Sequence, residues 1–303
     1  MSPLTIDSTI KLSSGNLMPR LALGVYQSRG VECQNAVSEA LKVGYRYIDT
    51  AQGYHNEDLV GRGMVESGVS RSKIFVTTKY MPSHTVHSSS SVLEVLRKSL
   101  KPLSKGFAED TQPYIDVMLI HAPWGGAKGR AENWKALVAA QKEGWIKDIG
   151  VSNFGVKHLE ELPEPVPAVN QIELHPWCQQ REIVSYCEKN GIALQAYCPI
   201  VRGDKKRLSE PKLVKISEKH GKEPAQVLIR WGLQKGARVK REGSGVRAST
   251  RPYSVLPKSV TPSRIKSNSE VYDFELDSSD MEALDSLDMG ASGACSWNPV
   301  DAD

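Results

Sequence analysis

The chain contains no CxxC pair, and its five cysteines, Cys33, Cys178, Cys187, Cys198 and Cys295, show no regular spacing. That signals neither a disulfide framework nor a zinc site, and it fits a reducing compartment. Long apolar runs are missing as well. Nothing approaches the roughly 18 consecutive apolar residues of a membrane span, and Met1 to Thr9 is too polar for a signal peptide. The expectation is a cytoplasmic protein with no membrane partner. A large excess of one charge is also absent: the net charge is +4 over 303 residues, with basic side chains scattered among acids. Nucleic acid is therefore not an expected partner. Finally, no GxGxxG fingerprint follows the first strand candidate, which argues against an open doubly wound nucleotide fold.

What is present is ordinary globular composition and a steady βα rhythm. Short apolar runs at Leu21 to Val25, Tyr47 to Asp49, Ile74 to Thr78, Ile115 to Ile120, Ile149 to Val151, Ala168 to Ile172, Ala193 to Ala196 and Ser254 to Leu256 read as strands. Amphipathic stretches fall between them: Cys33 to Val43, Val92 to Leu103, Ala131 to Lys142, Arg181 to Asn190 and Pro224 to Gln234. Gly44, Gly144 and Gly191 sit where helices commonly end. Eight units without a linker predict one domain over residues 1–303, an α/β fold closed as a (β/α)8 TIM barrel. Ahead of it, Ile10 to Leu12 and Leu17 to Leu21 flank Ser14, Gly15 and Asn16, a β-hairpin placed to close the bottom of the barrel. Residues 238–252, basic and without apolar periodicity, read as a solvated, mobile insertion on the face away from the C-terminal strand ends.

Barrel enzymes gather their chemistry at those strand ends. Asp49 ends the second strand, Tyr54 follows in its loop, Lys79 ends the third and His121 ends the fourth. Alone, each has a plain reading: a helix cap, a packed aromatic, a solvated lysine, a satisfied core histidine. Together at consecutive strand ends they suit proton donation to a carbonyl oxygen that becomes an alkoxide. A tyrosine with an ordinary pKa of about 10 would need a neighbouring ammonium, Lys79, to lower it, and Asp49 to keep that lysine charged. A neutral His121 would orient the substrate oxygen.

The stretches GYRYIDTAQGYHNE, KIFVTTK, MLIHAPW, GWIKDIGVSNF, VNQIELHP and LPKSVTPSRIKSN make the chain resemble the aldo-keto reductases over nearly its whole length outside residues 238–252. The resemblance implies NADPH as cofactor, bound extended without a Rossmann domain, transfer of the 4-pro-R hydride, and no metal. It assigns catalysis to Asp49, Tyr54, Lys79 and His121. It assigns the cofactor carboxamide to Ser152, Asn153 and Gln171, nicotinamide stacking to Tyr197, and the adenosine phosphate end to Lys258, Ser259, Thr261, Arg264 and Asn268. Two cations, hydroxyl donors and a following helix suit a phosphate.

One departure stands out: the family's Ser-Pro-Leu-Gly after the stacking aromatic is here Cys198, Pro199, Ile200 and Val201. Tyr26, Trp124 and Trp297 are the candidates for substrate contact, suggesting an apolar pocket for a small aldehyde or ketone. The expected assembly is a monomer or weak dimer. Two other functions remain open at this level: a barrel that binds NADP(H) as a sensor without turnover, and an NAD(P)-linked sugar or polyol dehydrogenase.

Overall fold

A computed structural model describes residues 3–105, 107, 112–235 and 252–303. Its strands are β1 (Thr9–Lys11), β2 (Leu17–Pro19), β3 (Leu23–Gly24), β4 (Tyr47–Asp49), β5 (Phe75–Tyr80), β6 (Ile115–Ile120), β7 (Ile146–Ser152), β8 (Val169–Glu173), β9 (Ala193–Tyr197) and β10 (Tyr253–Leu256). Strands β3 to β10 pair in chain order, all parallel. Bridges from Leu21 to Val255 and from Gly24 to Lys258 join the last strand to the first. The sheet thus closes into the expected (β/α)8 barrel and leaves no open edge.

Strand periodicity decides what each face carries. Ile48, Val76, Met118, Ile120, Ile172, Leu194 and Ala196 belong to the large cluster beneath the helices. Their alternating neighbours Tyr47, Phe75, Val117, Leu119, Val169 and Ala193 fill the barrel interior. Continuing the inward series toward the C-terminal ends gives Asp49, Lys79, His121, Gln171, Glu173, Gln195 and Tyr197. The interior therefore passes from apolar to polar along its axis. Ile10, Leu12 and Met18 of the antiparallel β1–β2 hairpin pack into the apolar end, the plug anticipated from the sequence.

Several boundaries differ from expectation. Pairing at the first strand is confined to Leu23–Gly24 plus the Leu21 bridge, because Leu21 to Val25 divides its bonds between β4 and β10. The expected helix from Val92 to Leu103 is two, Ser89–Arg97 and Leu100–Ser104. Pro102 explains the break, since its ring clashes with the carbonyl four residues back, that of Lys98. Strand β7 is longer than its apolar kernel. The helix Glu57–Glu66 escaped the periodicity reading because Gly61 and Gly63 dilute its pattern. Packing requires those glycines: a Cβ at Gly61 would stand 2.1 Å from the Pro102 carbonyl oxygen, and one at Gly63 2.5 Å from that of Gln34. The proposed insertion at 238–252 lies outside the described residues apart from Pro252.

Among the described residues, no helix is long and apolar enough to cross a membrane.

Candidate active site

Lys79, the fifth residue of β5, points into the barrel and is completely buried. Its ammonium donates to Asp49 Oδ1 at 2.7 Å, to the Thr50 carbonyl at 2.8 Å and to the Tyr54 hydroxyl oxygen at 3.5 Å. Because Lys79 is the donor in that last contact, the phenol keeps its own proton for another acceptor. Gln171 Nε2 donates to the second Asp49 oxygen at 2.8 Å and to Gln195 Oε1 at 2.7 Å. Gln195 in turn donates to the Tyr47 hydroxyl at 2.6 Å. A continuous polar chain thus runs down from the Asp49–Lys79 pair into the barrel axis, every link hydrogen-bonded as a buried polar group must be.

The electrostatics correct one expectation. Burial, then the nearby Asp49 carboxylate, hold the Tyr54 phenol well above its ordinary value. Lys79 does not lower it, since its charge is paired with Asp49 and the net field at the phenol is small. Tyr54 is accordingly a firmly protonated donor. Burial pushes Asp49 up and Lys79 down, while each partner favours the charged form of the other. His121 is held well below the histidine norm by burial and then by the Lys79 charge, so the ring is neutral, as expected. Its Nδ1 is buried without a protein partner.

One cavity of about 1180 Å³ is lined by every expected site residue except Lys79, which lies beneath its floor. Tyr26 packs on Tyr54 with ring centroids 5.0 Å apart, and Trp297 contacts both His121 at 5.7 Å and Trp124 at 5.4 Å. These aromatics wall the cavity around the tyrosine hydroxyl. Ser152 and Asn153, at the end of β7, are engaged with the protein itself: Ser152 Oγ donates to the Gln171 carbonyl at 2.9 Å. Asn153 Nδ2 donates to the His121 carbonyl at 3.0 Å, and its Oδ1 accepts from Tyr197 at 2.7 Å. Asn153 sits at φ 62°, a left-handed conformation that asparagine tolerates better than most side chains. Gln171 spends only its N–H groups on these bonds, which leaves its side-chain oxygen for a ligand.

The far end of the cavity fits a phosphate. Lys258 and Arg264 are exposed and, among the described residues, have no carboxylate partner. Between them the helix Pro262–Ser269 begins with no side-chain cap at Thr261, so its first amides and the positive end of its dipole stay available. Ser259 and Asn268 are buried alongside. Between the two ends runs the loop after β9, where Cys198, Val201 and Arg202 all take positive φ. A β-branched residue at φ 47° is a true outlier, so this departure from the family pattern is also a departure in backbone shape.

Sequence reasoning passed over Glu173. It lies two residues after Gln171 on the same inward face, is fully buried, and fastens the C-terminal tail. Its carboxylate accepts from His175 at 2.8 Å, from the Cys295 amide, and from the Ser296 hydroxyl at 2.7 Å. Tyr197 adds a bond to the Trp297 carbonyl at 3.1 Å. The readable signal was a carboxylate at strand period 2 within an otherwise apolar run.

A cleft with a phosphate-receiving end and a proton-donating end is the layout of a nicotinamide-dependent oxidoreductase. Comparison with known proteins agrees: residues 20–289 match the model of the aldo/keto reductase family. Glyoxal reductase of Bacillus subtilis is 39% identical over 289 residues, covering 94% of each chain. Methylglyoxal reductase DkgA of Escherichia coli K12 is 37% identical over 286 residues, 93% of this chain and 94% of that one. The crystal structure of Gox0644 in complex with NADPH superposes with a TM-score of 0.82 at 36% identity, over 98% of this chain and 99% of the other. The chain belongs to the aldo/keto reductase family and is an NADP-dependent oxidoreductase.

Proposed function

We propose that the protein reduces small aldehydes, α-oxoaldehydes of the glyoxal and methylglyoxal type foremost, to alcohols with NADPH. The observation that carries this reading is the buried Lys79 ammonium, 2.7 Å from Asp49 and 3.5 Å from the Tyr54 hydroxyl, at the floor of the shared cavity. When bound, NADPH supplies a hydride to the carbonyl carbon. Lys258, Ser259, Thr261, Arg264 and Asn268 would hold its phosphate and adenine end, Gln171 its carboxamide, and Tyr197 its ring. Tyr54 then gives its proton to the oxygen that gathers charge, and Lys79 offsets the charge left on the phenolate. Neutral His121 donates to the same oxygen and fixes which carbonyl face is presented. Tyr26, Trp124 and Trp297 exclude water around the reacting atoms. The relatives' printed activities and the aromatic walls favour a compact substrate.

The test is consumption of NADPH, followed at the nicotinamide absorbance, by purified protein with glyoxal, methylglyoxal, aromatic aldehydes and aldoses. Turnover highest with the α-oxoaldehydes is the expected result. NADPH binding without turnover on any carbonyl would overturn the catalytic reading, and preference for aldoses would overturn the substrate class.

A further inference from the structure

Cys33, Cys178 and Cys187 are buried, whereas Cys198 and Cys295 are partly exposed. The fold brings these two together. Cys198 follows Tyr197, the last residue of β9 and the register partner of Glu173 in β8. The Glu173 carboxylate holds the Cys295 amide and Ser296, and Tyr197 holds the next carbonyl, that of Trp297. The Cys295 thiol hydrogen-bonds with Cys198, and its sulfur lies within 4.8 Å of ligating atoms of Glu173 and His175. We propose that Cys198 and Cys295 form a reversible thiol and disulfide site, oxidised by peroxides, that staples the loop after β9 to the C-terminal tail.

The surroundings assign the two sulfurs different roles. The hydrogen bond to Cys198, and then burial, push the Cys295 thiol far up, so Cys295 keeps its proton and shares it with Cys198. A sulfur that accepts a hydrogen bond is favoured as thiolate, which makes Cys198 the attacking group. Its sulfur takes a hydroxyl from hydrogen peroxide, and the other oxygen leaves as water. The Cys295 sulfur then attacks the Cys198 sulfenic acid and displaces that hydroxyl, which departs as a second water with the Cys295 proton. Two thiols and one peroxide become one disulfide and two waters.

His175 is placed to relay the proton. Burial opposes its charged form, but hydrogen bonds with Cys295 and Glu173 outweigh burial and raise it. The same groups could be read as cation ligands, yet both Glu173 oxygens are already bonded to His175, Cys295 and Ser296. Thiol chemistry is the better match. The link would join two walls of one cavity, since Cys198, Ile200 and Arg202 line it on one side and Ser296 and Trp297 on the other.

The experiment reads mass rather than activity, so it stands or falls apart from the carbonyl reaction. The reduced full-length protein is treated with hydrogen peroxide, alkylated with iodoacetamide and digested for mass spectrometry. Expected are the loss of two of the five free thiols, one peptide pair joining Cys198 to Cys295, and complete reversal by dithiothreitol. Cys198→Ser and Cys295→Ser should each abolish the linked pair while melting like the parent. A digest without that pair, oxidation of either sulfur only to sulfinic acid, or an equal loss of thiols in both variants would overturn the proposal.

Discussion

Tyr54 differs from a surface tyrosine in having lost its water while gaining a cation that is already paired. Burial dominates, and the phenol remains protonated until a substrate oxygen with growing negative charge arrives. Tyr54→Phe should therefore lower turnover by about 10² to 10⁴ while leaving the NADPH dissociation constant unchanged. Near-parental turnover in that variant would remove Tyr54 as the acid. Lys79→Met should carry a second cost, because it leaves the Asp49 carboxylate buried opposite an apolar chain. Breaking a buried pair from one side costs roughly 3 to 5 kcal/mol, so this variant should melt lower as well as turn over slowly, whereas Tyr54→Phe should melt like the parent. Equal melting temperatures for the two would mean that Asp49 finds another partner.

At the scale of elements, the two ends of the cleft depend on segments that follow strands. The start of the helix Pro262–Ser269 brings uncapped amides beside Lys258 and Arg264. Replacing both cations with alanine should erase most of the preference for NADPH over NADH, at roughly 1.5 to 3 kcal/mol per charge-assisted contact. Dissociation constants for both cofactors check this, and an unchanged ratio would place the phosphate elsewhere. The tail depends on Glu173. Burial alone would push that carboxyl up, but hydrogen bonds from His175, the Cys295 amide and Ser296 hold it down at about 2. A carboxylate depressed on folding contributes stability above its unfolded pKa and loses it as pH falls through the folded one. The contribution, roughly 3 kcal/mol, should be complete above about pH 4.5 and vanish toward pH 2. Glu173→Gln should flatten the acid limb of a stability profile measured by urea unfolding; an acid limb parallel to the parent's would contradict the clamp.

For the whole molecule, closure of the barrel is the event on which everything else rests. Arg20, just before β3, is buried and donates to the carbonyls of Leu233 and Tyr253, while its own carbonyl accepts from the Val255 amide. One side chain thus ties the chain entering the barrel to the end of the helix Pro224–Gln234 and to the last strand. Burial brings its guanidinium down to about 10, still charged at neutral pH. Arg20→Met should cost about 2 to 4 kcal/mol, since two buried carbonyls lose their donor. Turnover per folded molecule should survive, because Arg20 lies toward the strand starts, opposite the catalytic ends. Activity normalised to the folded fraction decides this, and a specific loss of turnover would show that the two ends of the barrel are coupled.

The order of strands, the barrel and the catalytic four were legible in the sequence because they rest on local rules. Alternation assigns strand faces, and a parallel barrel gathers its strand ends at one mouth, so Asp49, Lys79 and His121 could be placed from period and position. The hairpin plug was readable for the same reason, from two short apolar runs about Gly15. Tertiary structure alone decided the rest, which depends on which segments meet. The break at Pro102, the glycines of the helix Glu57–Glu66, the clamp of Glu173 on a tail more than a hundred residues away, and the meeting of Cys198 with Cys295 all arise from contacts between distant segments. The protonation state of Tyr54 belongs with them. Sequence could place the lysine beside it, but only the burial and the Asp49 contact determine that the phenol keeps its proton.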